Sequence, residues 1–406
     1  METDKSTFLD TAWDIGCQLM KSAIWHEDSC TWLGYSVEAV NGEYKPVMRS
    51  FGADLYSGTA GIAAFLIALY SERKDDLLKK TIEGCISQIK LNMDQLPDQG
   101  FYSGKPGVAA LLLKAGDELN NKEWISLGVD LLKKIKTDTL QDHEVDLISG
   151  AAGTIPVLLD VYERFKEPEL LEKAVALGNI LYHSADKQGD VWSWSTVPSK
   201  KNLTGFSHGS SGVALAMLQL YNVTKNDNYL VASICGFNYE RVSFDNKQQN
   251  WPDFRDDVSG ESSDHVCGLA WCHGAPGIAI SRLRANAIKE DEHLLNEMHI
   301  ALNTTTKNVY HSLTAHLDTT NYSLCHGAAG NAEILLDCGG EEHQKLAEAI
   351  GVAGINKYHD TRSHWPTGLN TNQYKPGLML GLAGTGYFYL RLFDKDKHGS
   401  LLHASA

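Results

Sequence analysis

The chain has 406 residues, of which 43% are hydrophobic, with ten prolines and a formal net charge of −15. This is the composition of a globular protein with a large core, which excludes a disordered or fibrous chain. None of the 36 Lys and Arg residues forms a long run, so the acidic balance excludes a nucleic-acid backbone as partner.

The leading segment, residues 1–50, has no apolar stretch of the secretory kind, and no later stretch is long enough for a membrane span, so the expected location is cytoplasmic. The eight cysteines include no C-x-x-C pair and read as free thiols or metal ligands. From about residue 51 to 400 one pattern recurs. Gly58 and Gly61 open an apolar run at 62–70, followed by an amphipathic, charged stretch at 75–90. Gly104 and Gly107 precede a second such stretch at 122–136, and Gly150 and Gly153 a third at 167–184. Gly209 and Gly212 open the run 213–218, Gly274 and Gly277 follow, Gly327 and Gly330 precede the stretch 341–358, and Gly381 and Gly384 close the series.

Successive first glycines lie 46 to 65 residues apart. A single Gly-x-x-Gly is a packing device; seven in phase are a repeat. Runs that are apolar all round predict inner helices, and amphipathic stretches predict outer ones. Seven helical hairpins can stack as an open solenoid or close on themselves. The expectation is closure: an all-α single domain over residues 1–406, an α/α toroid of seven inner and seven outer helices. Glycine turns at the inner-helix N-termini then share one end, and the residues before them meet around one lumen.

The two residues before each first glycine are Tyr56-Ser57, Tyr102-Ser103, Ile148-Ser149, Ser207-His208, Cys272-His273, Cys325-His326 and Met379-Leu380. Cys272 and Cys325 hold equivalent places in adjacent repeats, and two thiolates with one imidazole suit tetrahedral zinc with an open fourth position. His326 and His273 both qualify as the third ligand. Cys17, Cys30, Cys85, Cys235, Cys267 and Cys338 lie outside the signature. His208 has no cysteine before it and fits a general acid or base. Asp146, four residues before Gly150, is placed to face the same lumen and to orient an imidazole or polarise a carbonyl, yet Asp54 stands in the same Asp-Leu-x-Ser-Gly frame, and at least one of the two suits a turn or helix cap.

The strings Trp271-Cys272-His273-Gly274-Ala275-Pro276-Gly277 and Leu324-Cys325-His326-Gly327-Ala328-Ala329-Gly330, with Ser207-His208-Gly209 upstream, resemble lanthionine synthetase C proteins, and the repeat extends the resemblance over nearly the whole chain. Asp54-Leu55-Tyr56-Ser57-Gly58 and the stretch 203–209 resemble in particular the cyclase domain of bifunctional class II synthetases. The chain starts almost where that domain would, so no dehydratase domain is expected ahead of it. The resemblance implies one zinc ion per chain on Cys272, Cys325 and His326, and catalytic roles for His208 and Asp146; it alone selects His326 over His273 and Asp146 over Asp54. It further implies a carbon–sulfur bond-forming enzyme of the lyase class, which adds cysteine thiols to dehydroalanine or dehydrobutyrine in a dehydrated precursor peptide, with a separate dehydratase as a partner. Nisin-type cyclases carry a tyrosine where this chain has His273, so no role transfers to that position. Two other readings stand beside this one: glutathione addition to dehydroamino acids in proteins, and a non-catalytic zinc-containing peptide-binding protein. Protein prenylation is disfavoured because the ligand set lacks a carboxylate.

Overall fold

In the computed structural model, residues 4–40, 43–141, 143–255, 266–315, 320–368 and 375–406 are described. They contain the helices α1 (Lys5–Ser22), α2 (Thr59–Glu72), α3 (Asp76–Asn92), α4 (Lys105–Glu118), α5 (Lys122–Lys134), α6 (Ala151–Phe165), α7 (Pro168–Ser184), α8 (Ser210–Thr224), α9 (Asp227–Val242), α10 (Ala275–Ile288), α11 (Glu292–Thr314), α12 (Ala328–Cys338), α13 (Glu341–Gly354) and α14 (Leu382–Phe393). The even-numbered helices are the apolar ones. In α2 every residue from Thr59 to Leu69 is buried, whereas α3 buries one stripe, including Leu78, Ile82, Ile86 and Ile89. Each even helix packs on the next, and α14 packs on α2, which closes the ring. The odd helices lie outside.

Closure is also written in hydrogen bonds between the turns that precede the inner helices. Tyr56 N donates to Tyr102 O, Tyr102 N to Ile148 O, and Leu147 N to Ser207 O. Ser207 Oγ donates to Cys272 O, Asn331 Nδ2, in the first turn of α12, to Leu269 O before α10, Cys325 N to Met379 O, and Met379 N to Tyr56 O. Seven turns therefore share one end of an α/α toroid.

The Gly-x-x-Gly signature has a steric cause. A Cβ on the second glycine of each pair would lie 1.7–2.3 Å from the carbonyl oxygen six residues earlier, from Leu55 O at Gly61 to Leu378 O at Gly384. No side chain fits where the incoming chain crosses the helix start. The first amide of the inner helix then turns back to the carbonyl seven residues before it in five turns: Thr59 to Gly52, Ala151 to Glu144, Ser210 to Leu203, Ala328 to Asn321 and Leu382 to Lys375. Lys105 reaches Pro97, one residue further back. The fifth turn departs from the rule, because Ala275 N donates instead to the Asn250 side chain at 2.7 Å.

Two features differ from the expected seven contiguous hairpins. Six hairpins are contiguous, but the outer partner of α14 is α1, so the seventh pair joins the two ends of the chain. The leading segment also carries two antiparallel hairpins, Ile24–His26 with Ser29–Thr31 and Leu33–Val40 with Glu43–Ser50; a third pairs Asp186–Gln188 with Val191–Ser193. Beyond α14 the chain enters the ring from the end opposite the turns: Tyr387, Tyr102 and Trp271 donate to the carbonyls of Gly399, Leu401 and Leu402. Trp271 is the residue before Cys272, so this segment lies directly behind the site. No described helix is long and apolar enough to cross a membrane.

Candidate active site

Because the repeat phase fixes where each turn residue points, equivalent positions converge. Cys272, from the turn before α10, and Cys325 and His326, from the turn before α12, offer two sulfurs and a ring nitrogen that all lie within 4.8 Å of one another. The His326 Nε2 is 2.6 Å from Gly368 O. That contact fixes the proton on Nε2 and leaves Nδ1 free to bind a metal, as expected of a metal-binding imidazole held by a backbone carbonyl. The two thiols share a hydrogen bond. As acceptor, Cys272 is held below the usual thiol range, helped by the Arg255 and His208 charges, while that same bond and burial hold Cys325 well above it. Two sulfurs with an adjacent imidazole fit a zinc ion by donor type and number.

His273 lies outside this cluster. It is buried, and among the described residues neither ring nitrogen has a partner in good hydrogen-bond geometry. Desolvation drives its pKa down to about 3, against the pull of Asp253, whose Oδ2 is 3.8 Å from Nδ1. The ring stacks on His208, with centroids 5.6 Å apart. Its contribution is a neutral wall beside His208.

His208 Nδ1 meets Asp146 Oδ2 at 2.7 Å. Asp146 is 2% exposed, and its other oxygen accepts Ser149 N at 2.7 Å and Ser149 Oγ at 3.0 Å. Asp54 repeats that turn geometry on Ser57, at 2.8 and 3.3 Å. Both aspartates therefore cap a turn, and Asp146 also holds an imidazole. With Nδ1 occupied, Nε2 is the nitrogen available to a reactant.

Several residues at the site carried no role in the sequence reading. Tyr56 donates its hydroxyl to Cys325 Sγ at 3.1 Å; burial first, and the cysteine second, push its pKa upward. Its signal was present, since Tyr56 has the same register as Cys272 and Cys325 and the closed ring makes it their neighbour. Asp253 and Arg255 pair at 2.6 Å, and although burial raises the Asp253 carboxyl, the Arg255 bonds outweigh it and hold it low. Both residues sit in the longest interval between repeats, where periodicity gives no signal. Asn250 anchors the Cys272 turn, accepting Ala275 N and donating to Gly268 O at 2.8 Å. Gly274 there takes φ +93, and a Cβ would strike Gly268 O at 1.9 Å, so only glycine serves.

Residues 49–402 match the family described as lanthionine synthetase C-like protein. The chain is 26% identical over 399 residues to the lacticin 481/lactococcin biosynthesis protein LcnDR2 of Lactococcus lactis subsp. lactis, covering 93% of this chain and 39% of that protein. It is 22% identical over 308 residues to the nisin biosynthesis protein NisC of the same organism, covering 69% and 72%. This chain thus spans about two fifths of the length of the lacticin relative. Among solved structures, nisin cyclase superposes with a TM-score of 0.64 at 17% identity, over 86% of this chain and 91% of that one. The GH76 α-mannanase BT2949 of Bacteroides thetaiotaomicron superposes with a TM-score of 0.52 at 13% identity, over 97% of each. At these identities both likenesses concern the fold, and chemistry has to be argued from the site.

Proposed function

The chain belongs to the lanthionine synthetase C-like family, and from that premise we propose that it is a zinc-dependent peptide cyclase of the carbon–sulfur lyase class. Its substrate is a dehydrated precursor peptide, in which cysteine thiols add to dehydroalanine or dehydrobutyrine to close lanthionine and methyllanthionine rings. The observation that carries the reading is the convergence of Cys272, Cys325 and His326 within 4.8 Å near the His208–Asp146 pair.

One zinc ion per chain, held by these three residues, would lower the substrate thiol's pKa from about 8.5 so that it reacts as thiolate. The remaining chemistry belongs to the chain. Tyr56, donating to Cys325, keeps that ligand in place and moderates its basicity. Addition of sulfur to the β-carbon places the electron pair on an enolate, whose α-carbon then takes a proton. His208 delivers that proton from Nε2, and the proton released by the substrate thiol replaces it. Asp146 accepts from Nδ1, which fixes the tautomer and stabilises the charged ring. Nothing leaves, so atoms and charge balance within one peptide.

We place the protein in the cytoplasm, working after a dehydratase that makes the electrophile. The test combines metal analysis with cyclisation of a dehydrated peptide, followed by thiol alkylation and mass spectrometry. The parent should bind one zinc per chain and protect the substrate thiols; Cys272→Ala with Cys325→Ala should lose both properties. Metal near one per chain in the double variant overturns the ligand set, and glutathione addition outrunning ring closure overturns the substrate assignment.

A further inference from the structure

The turn carrying His208 is clasped from outside its own repeat unit's inner helix. Glu240, on α9, is 0% exposed. Its Oε1 accepts the amides of Gly205 at 3.1 Å and Ser211 at 2.8 Å, and Oε2 lies 3.3 Å from the Gly205 amide. These two amides bracket His208, one three residues before it and one three after. Gly205 takes φ +104, and a Cβ there would lie 3.3 Å from Cys272 O; Ser207 Oγ donates to that same carbonyl at 3.1 Å. The clasped turn is therefore seated on the backbone of Cys272.

Burial raises the Glu240 pKa to about 7, against the pull of the Arg282 charge. Arg282 of α10, also 0% exposed, donates to Ser211 Oγ at 3.1 Å and to Glu297 Oε2 at 2.6 Å, and Glu297 of α11 accepts Arg241 at 2.5 Å. Buried ion pairs add little net stability, since desolvation offsets the attraction. The Arg282–Glu297 pair buried between α10 and α11, which reaches the Glu240 clasp through Ser211, is thus poorly accounted for by stability alone. At the places equivalent to Ser211, the second and fifth turns carry Pro106 and Pro276, which have no amide to offer. The fold tolerates losing that hydrogen bond, so its presence beside His208 calls for a local reason.

We propose that Glu240 is a positioning residue for the reaction: its carboxylate pins both ends of the His208 turn, so that the imidazole keeps its contact with Asp146 and its place beside Cys272. The inference rests on His208 being the proton donor. A displaced acid loses rate steeply, because an error of about 1 Å costs on the order of 100-fold.

The test uses Glu240→Gln and Ser211→Pro in the zinc-loaded full chain, each alone and combined with His208→Asn, with Glu333→Gln as a control: Glu333 of α12 is 1% exposed and accepts from Arg391 of α14 at 2.9 Å, so the change buries a neutralised carboxylate elsewhere. Ser211→Pro removes one clasped amide with a residue already used at that position, which keeps the test valid if Glu240→Gln folds poorly. Expected are kcat losses of about 10- to 100-fold, with KM, zinc content and the rate of peptide-thiol binding unchanged, and no further loss when either change is added to His208→Asn. Glu333→Gln should leave kcat intact. Losses that multiply with His208→Asn, or a kcat in both variants equal to the parent, overturn the role of Glu240. A His208→Asn variant as fast as the parent overturns the proton-donor reading itself, which keeps the two failures distinct.

Discussion

Asp146→Asn separates the two jobs that Asp146 does. In the parent, one oxygen caps the turn through Ser149 N and Oγ, and the other accepts His208 Nδ1 at 2.7 Å. Asparagine is nearly isosteric: its carbonyl oxygen can keep the cap, but its amide then presents N–H to Nδ1. Two losses follow. The charge-assisted bond that stabilises the imidazolium, worth about 1.5–3 kcal/mol, disappears; at about 1.4 kcal/mol per decade this is roughly a 10- to 150-fold loss of rate. The neutral ring is also turned to the tautomer protonated at Nε2, which obstructs return of the proton and enlarges the loss toward the ~10,000-fold ceiling of acid–base catalysis. Asp54→Asn is the matched comparison, because Asp54 caps Ser57 in the same way in a turn that carries no histidine. Both variants should lose comparable stability, about 1 kcal/mol or less, by urea denaturation; in single-turnover cyclisation of a dehydrated peptide, only Asp146→Asn should be slow. The uncatalysed addition, measured without protein, sets the floor. Equal rate losses in the two variants would refute the reasoning, since the effect would then belong to the turn.

Ring closure predicts a particular intolerance. Gly61→Ala would place a methyl 2.2 Å from Leu55 O and 2.6 Å from Leu378 Cβ, across the seam between α2 and the last turn. Instead of the ordinary helix gain of about 1 kcal/mol for Gly→Ala, a loss of about 1–3 kcal/mol is expected, read as a lower urea midpoint; a stabilised variant would mean the seam is open. His359 links Asp14 of α1, at 2.9 Å, with Asp360, at 3.1 Å. Partial burial lowers its pKa, but the two carboxylates more than offset this and raise it. A raised histidine favours folding fully below its unfolded value of about 6.5, and that contribution is lost as pH rises through the folded value. Thermal stability should therefore decline across that window in the parent and decline less in His359→Gln; identical slopes would remove His359 from the account.

What was legible in the sequence was legible because of phase. A repeat that returns to the same height and the same lumen lets register stand in for three-dimensional proximity: register put forward Cys272, Cys325 and His208 before any contact was known, but left His326 beside His273 and Asp146 beside Asp54, and in the sequence only the family resemblance chose between them. The cap at Asp54 and its copy at Asp146 show the limit of that method: register places both carboxylates, and only the tertiary neighbour, His208, tells them apart. Tyr56 was in register too, but its chemistry depends on the closed seam that brings the first turn against the sixth. The pairing of α1 with α14 has no local signature, because the two helices are nearly the whole chain apart.

Glu240 and Arg282 were hidden for a different reason. Helix α9 buries Tyr229, Ser233, Tyr239 and Glu240 on its inner side, so its polar residues do not segregate outward and its amphipathic pattern is blurred where it serves the site. A pattern of apolar-in, polar-out describes helices whose only task is to cover a core. Where an outer helix also has to hold a turn that does chemistry, the carboxylate has to point inward. The break in periodicity at Glu240 is then a trace of function, detectable in the sequence only once it is known which turn lies beneath it.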